Sequence, residues 1–397
     1  MDGTTEGRWA TRIGVAAVLA STTASVFPAF LTGAVGVQLR DELAFSEREL
    51  GFGVGAFFLC AAIGSAPGGR LVQRLGATRA ITAALALSAA SMAAIAVLVD
   101  SFATLAICLG IAGFANAVSQ PGANLYLSRT VHVGRLALAV SAKQAGMPTA
   151  TLLGGLAVPL VALTVGWRWA YAIGASIALL AILALRIAPT VSAVAPIGER
   201  QDRPTTPLPV LGLAGFGMVF GAAAAGAIGA WVVSSAEASG IGSGASGLLL
   251  TYGSAVGIAS RLYVGWRADG SARSPLATVS TMLVVGAGGI ALLAADPPVV
   301  QVVAVTFAFG AGWAWPGLFN YAIVRANPAA AGAATGVTQI GTYIGAVLGP
   351  VVFGLIVDGG SYTVGWFAVA GWALVAATVM WTVSRRLLVA ESAPLAS

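Results

Sequence analysis

Apolar runs long enough to cross a bilayer recur along this chain from one end to the other. A spanning helix needs about 20 mostly apolar residues. Twelve such runs stand at 13–37, 50–72, 78–99, 102–127, 135–163, 167–189, 208–235, 244–267, 274–295, 299–325, 331–356 and 361–384. They are continuous rather than alternating, which predicts helices and not barrel strands. The composition agrees, with 58% hydrophobic and only 9% charged residues, where soluble domains carry about 25% charged residues. A disordered protein and an ordinary soluble enzyme are excluded, and an all-α polytopic membrane protein is left. The first run is longer than a signal-peptide core and is expected to remain in the protein.

The basic residues set the expected topology. With the N-terminus placed in the cytoplasm, 15 Arg fall in cytoplasmic segments and only Arg40, Arg48 and Arg168 fall outside, as the positive-inside bias requires. Both termini are then cytoplasmic. The net charge of +6 is explained by these anchors, so no nucleic-acid partner is expected; lipid is. The lone His132 cannot build a metal site, and Cys60 and Cys108 read as small buried hydrophobes. No cofactor is expected, and the protein is read as a monomer.

The longest polar interruption, 189–209, holds five Pro together with Glu199, Arg200, Asp202 and Arg203. It divides the chain into a bundle at 1–189, a cytoplasmic linker at 190–207 and a second bundle at 208–397. The halves repeat weakly. Gly69-Arg70-Leu71-Val72-Gln73 is matched by Gly265-Trp266-Arg267-Ala268-Asp269 196 residues on, and Gln144-Ala145-Gly146 by Gln339-Ile340-Gly341 195 residues on. Pro121 and Pro316 are also 195 apart. Gly154-Gly155 and the run 286–289 read as helix-packing faces. A duplicated six-helix unit of this kind is a transporter signature.

These residues resemble the major facilitator superfamily. The loop Gly69-x-Leu71-x-x-Arg74-x-Gly76-x-x-Arg79 is similar to that superfamily's signature between helices 2 and 3, with Gln73 where an Asp is usual; the second copy keeps the acid, Asp269. The resemblance implies twelve transmembrane helices in two pseudo-symmetric six-helix bundles, with Arg74, Arg79 and Asp269 as gating residues. Three stretches resemble the cyanate/nitroimidazole permease group within it: Gln120-Pro121-Gly122-Ala123-Asn124, Lys143-Gln144-Ala145-Gly146, and Gly257-x-x-x-Arg261-x-x-x-Gly265-x-x-x-Asp269. The last is also similar to helix 8 of monocarboxylate and oxalate:formate transporters, where the Arg meets the substrate carboxylate.

Two bases belong to no loop. Lys143, the chain's single Lys, sits about 12 Å into helix 5 and Arg261 about 9 Å into helix 8 at 1.5 Å per residue. A charge at a helix centre costs about 2.5–3.5 kcal/mol, so each is expected to serve a substrate, and no Asp or Glu lies at matching depth. An anion suits both, Arg through its fork and Lys as a point charge. The competing structural roles are snorkelling of Arg261 and carbonyl bonding by Lys143. Asn116 and Gln120, four apart on one face of helix 4, join Gln144, Gln339, Asn320, Tyr343, Trp313 and Tyr252 as candidate substrate-binding residues, with interhelical bonding as their bland alternative. Pro316 is expected to kink helix 10.

The sequence therefore reads as a secondary active transporter for a small anion, of organic carboxylate type, held by Arg261 and Lys143, with proton symport as the candidate coupling. The alternative is a proton-coupled efflux pump or permease for a drug-like or neutral molecule. Leu109 stands where proton-coupled exporters carry a helix-4 Arg. A membrane enzyme needs a nucleophile–base pair, a metal cluster or a phosphate loop, and none is seen.

Overall fold

The computed structural model describes residues 3–131, 139, 142–192, 204–268, 274–327 and 330–392. Among the described residues every regular element is a helix. The first unit holds α1 (Gly3–Ala34), a short α2 (Gly36–Leu43), α3 (Glu47–Leu75), α4 (Ala77–Leu98), α5 (Phe102–Thr130), α6 (Gly146–Ala157) continued by a π-helical turn (Val158–Ala162), and α7 (Trp167–Arg186). Next come α8 (Leu208–Ala238), α9 (Ser243–Ala268), α10 (Pro275–Leu292), α11 (Pro298–Phe307), a second π-helical turn (Ala308–Gly312), α12 (Pro316–Ala326), α13 (Ala331–Gly359) and α14 (Tyr362–Ser392).

Among the described residues, eleven helical segments are long and apolar enough to cross a membrane. Large apolar side chains such as Val97, Leu98, Leu160 and Val299 stand exposed on them, which only a hydrocarbon solvent makes favourable. α9 is long enough too, at 26 residues, but is not apolar enough to be counted with them. Ser243, Ser246, Thr251, Ser254, Ser260, Arg261 and Arg267 dilute it. The chain splits into two compact units, Met1–Gly198 with Ser243–Thr251, and Glu199–Gly242 with Tyr252–Ser397. The start of α9 goes with the first unit. There Gly155 and Gly247 meet backbone to backbone: a Cβ on Gly155 would lie 2.5 Å from the Gly247 oxygen, and one on Gly247 2.6 Å from that of Gly155.

Local signals set the helix ends. Ser46 and Glu49 form a capping box at the start of α3, and Ser101 and Thr104 form one at the start of α5. α3 and α4 are separated by Gly76 alone, at φ 82°, a conformation that favours glycine. α1 runs unbroken through Pro28. Proline cannot donate to the carbonyl four residues back, and that carbonyl, on Ala24, instead accepts from Ser88 of α4 at 3.2 Å. The expected kink at Pro316 is a larger break: the helix separates into α11, a π-helical turn, an irregular turn and α12.

The glycine runs pack as expected. Gly154 lies on Phe30 and Leu31 of α1, while Gly286 and Gly289 lie on the π turn at Gly312 and Ala308. The repeat recurs as helix contacts within each unit. Gly146 rests on Thr22 of α1, where a Cβ would come within 2.8 Å of Oγ1, and its counterpart Gly341 rests on the backbone of Gly215 in α8. The second unit's core gathers Leu211, Met218, Leu283, Trp315, Phe319 and Met380.

Candidate functional site

In the first unit the polar side chains gather along α1. Ser21, Thr22 and Ser25 are buried, and helix α1 packs on α5 and α6. Asn116, 6% exposed, accepts through Oδ1 from Ser25 Oγ and from Gln120 Nε2, both at 3.1 Å. Ser119 Oγ reaches the Ser21 oxygen at 3.5 Å. Two of the expected residues, Asn116 and Gln120, are therefore brought together, and Ser25 joins them. Lys143 lies one turn before Gly146, the residue seated on Thr22. It is 7% exposed, and among the described residues its ammonium has no hydrogen-bond or ion-pair partner. Gln144 beside it is half-buried.

In the second unit Arg261 and Trp313 are brought together. Arg261 Nη2 donates to the main-chain oxygen of Trp313 at 2.7 Å. The Trp313 side chain is buried and packs against Phe309 with the rings tilted, their centroids 5.3 Å apart. The contribution of Trp313 to Arg261 is thus a backbone acceptor, where the sequence suggested a lining side chain. Asn320, Gln339 and Tyr343 are half-buried, and Gln339 and Tyr343, four apart, share a face of α13. Tyr252 is 42% exposed, its hydroxyl 3.0 Å from Thr306 Oγ1. Trp231 is fully buried and donates to the Pro350 oxygen at 3.2 Å, which makes it core.

Arg74 and Arg79 flank the one-residue turn at Gly76 and are exposed, as loop anchors are. Asp269 and His132 lie outside the described residues, as do 193–203 of the linker. Leu109 is fully buried in α5. Every acid among the described residues lies in a loop, in the short α2 or within the first or last turn of a long helix. Two further residues matter that sequence reasoning passed over, Ser25 and Ser260. A Ser carries no mark of its own in a chain this rich in small residues; the signal was position, since Ser260 adjoins Arg261 and Ser25 lies four residues beyond Ser21.

Residues 13–350 match the family model described as Major Facilitator Superfamily. The chain belongs to that superfamily, and it is a multi-pass membrane transporter rather than an enzyme. No curated protein matches its sequence. Among solved structures it is similar to a bacterial homologue of the human lysosomal transporter Spinster, inward-facing and unoccupied, at 15% identity over 97% of this chain and 99% of that one, with a TM-score of 0.77. It is also similar to the inward-open xylose transporter XylE from E. coli, at 16% identity over 94% of each chain and a TM-score of 0.76. A third is the nucleoside transporter NupG, at 16% identity over 92% and 98%, TM-score 0.68. At these identities the likeness is one of fold.

Proposed function

We propose that this chain is a secondary active transporter that moves a small anion, of organic carboxylate type, across the membrane by alternating access. Arg261 and Lys143 supply the positive charge that the substrate engages. The observation that carries this reading is Lys143. It is the chain's only Lys, it is buried, and no described residue pairs with it. A buried cation is expensive without a counter-charge, and the described acids of this chain lie at helix ends and in loops. An anionic substrate meets that need. Asn116, Gln120, Gln144, Asn320, Gln339, Tyr343 and Tyr252 would orient it.

The reading extends to the frame around the site. Twelve spans, with α9 as the eighth, form two six-helix bundles on either side of the 190–207 linker. Both termini face the cytoplasm, as the distribution of Arg supports. Protons are the candidate coupling ion, Arg74, Arg79 and Asp269 gate the cytoplasmic side, and the protein works as a monomer. The stretches around Pro121, Lys143 and Arg261 favour kinship with the cyanate/nitroimidazole permease group.

The test is uptake into proteoliposomes of formate, acetate, oxalate and cyanate. Uptake of at least one should be saturable, abolished in Arg261→Ala and weakened at least tenfold in Lys143→Gln, the loss of a charge-assisted contact. Full activity in both variants sinks the assignment. Transport of a lipophilic cation or a neutral solute, indifferent to both changes, favours the efflux or permease reading instead.

A further inference from the structure

The break between α11 and α12 gathers main-chain acceptors that a regular helix would have satisfied itself. The carbonyls of Gly310, Gly312 and Trp313 each accept from a side chain. Ser260 Oγ donates to Gly310, the Trp315 indole N–H donates to Gly312 at 3.0 Å, and Arg261 Nη2 donates to Trp313 at 2.7 Å. The cause is local. A π turn displaces the regular hydrogen-bond ladder, and Pro316 has no N–H to return to Gly312.

Two of these three donors are consecutive residues of α9. Their arrival depends on a close approach of the two helices. Gly253 sits against Val305 and Phe309, and a Cβ on Gly257 would lie 3.4 Å from the Phe309 oxygen. Larger residues at 253 and 257 would lift α9 away, and with it Ser260 and Arg261.

Anchoring one arm of a guanidinium orients the whole group, because its five N–H donors are fixed in one plane. The Trp313 oxygen therefore fixes the plane of the Arg261 guanidinium. That oxygen is held in place only while the break keeps its register, and Ser260 holds the break from the same helix by taking the Gly310 oxygen. We propose that Ser260 is a positioning residue for Arg261: by binding Gly310 it keeps Trp313 in register with the guanidinium, and so fixes the approach of the substrate carboxylate without touching it. This rests on the reading of Arg261 as the anion-binding residue, and it adds the device that aims it.

The experiment compares wild type, Ser260→Ala, Ser260→Thr and Arg261→Ala with two readouts. The first is amide hydrogen exchange across 308–316 in the purified protein without substrate. The second is the KM and kcat of formate and oxalate uptake in proteoliposomes. Exchange should accelerate about 5- to 10-fold in Ser260→Ala and in Arg261→Ala, on the order expected for one lost hydrogen bond. The KM of Ser260→Ala should rise about tenfold with kcat within about twofold of wild type, the mark of lost binding geometry. Ser260→Thr, which keeps the hydroxyl, should restore both. Faster exchange with unchanged KM would make the bond purely structural and overturn the proposal, as would unchanged exchange. If wild type takes up neither carboxylate while exchange still accelerates in both Ala variants, the anion reading itself has failed and the positioning role falls with it.

Discussion

Ser88 Oγ donates at 3.2 Å to the main-chain oxygen of Ala24, the carbonyl that Pro28 leaves without its helical donor. Both residues are buried. Removing the hydroxyl leaves a buried acceptor unsatisfied, which costs about 1–3 kcal/mol. Ser88→Ala should therefore lower the unfolding temperature measured in detergent. The cost should shrink when Pro28→Ala is added, because the restored N–H at position 28 can serve Ala24. A double-mutant cycle measures the coupling, and strict additivity would show that Ser88 is not the substitute donor.

Glycines at 341, 345 and 349 place the backbone of α13 directly on that of α8, against Gly215, Val219 and Ala223 in turn. In lipid, such contacts supply the packing that holds helices together. A Cβ at any of the three would collide with a main-chain oxygen that no rotamer change can move. Gly345→Ala should lower thermal stability sharply, by more than about 2 kcal/mol, in the range that overpacking reaches. Gly371→Ala is the control, since a Cβ there meets nothing within 4 Å and the change should stay within about 0.5 kcal/mol.

Glu42 joins two parts of the first unit. Its carboxylate accepts from the buried Trp167 indole at 2.6 Å and from Arg168 at 2.8 Å, while Arg168 also donates to the Val99 oxygen and lies 4.4 Å from the Trp167 ring. The ion pair is half-exposed and worth at most about 1 kcal/mol. The indole is the larger stake, because an orphaned buried N–H costs about 1–3 kcal/mol. Glu42→Gln keeps an acceptor and should be mild, whereas Glu42→Ala should be clearly worse. Equal losses by thermal unfolding would put the weight on the charge instead.

The spans were legible because a bilayer admits so few backbone solutions that apolar length alone reveals them. Gly154, Gly155, Gly286 and Gly289 were legible as packing faces for a related reason, since in such helices a bare backbone is useful mainly for close approach. Pro316 announced a break but not its form. A π turn depends on what a neighbouring helix offers the displaced carbonyls, and here those offers come from Ser260 and Arg261, some fifty residues away. The same limit hid Ser25 and Ser88. That no described residue pairs with Lys143 is a fact about all its neighbours at once, which no count along the chain reveals. The polarity of α9 is a compromise visible only in retrospect, because Ser260 and Arg261, two of the residues that dilute it, also hold the break.

Lys143 offers the sharpest separation of stability from function. A buried ammonium that no described residue pairs is a standing cost, and replacing it with an apolar side chain of similar length should remove that cost. Lys143→Met should therefore unfold at a higher temperature than wild type when no substrate is present. Under the proposed function the same change removes the charge the anion needs. Wild type should gain stability as oxalate or formate is added, by about 2.7 kcal/mol at a hundredfold excess over Kd, and Lys143→Met should show no such gain. Residues held in place for binding at the expense of stability behave in this way. If Lys143→Met is instead less stable than wild type and still stabilised by the anion, Lys143 is a structural residue, and the charge that draws the substrate must be assigned to Arg261 alone.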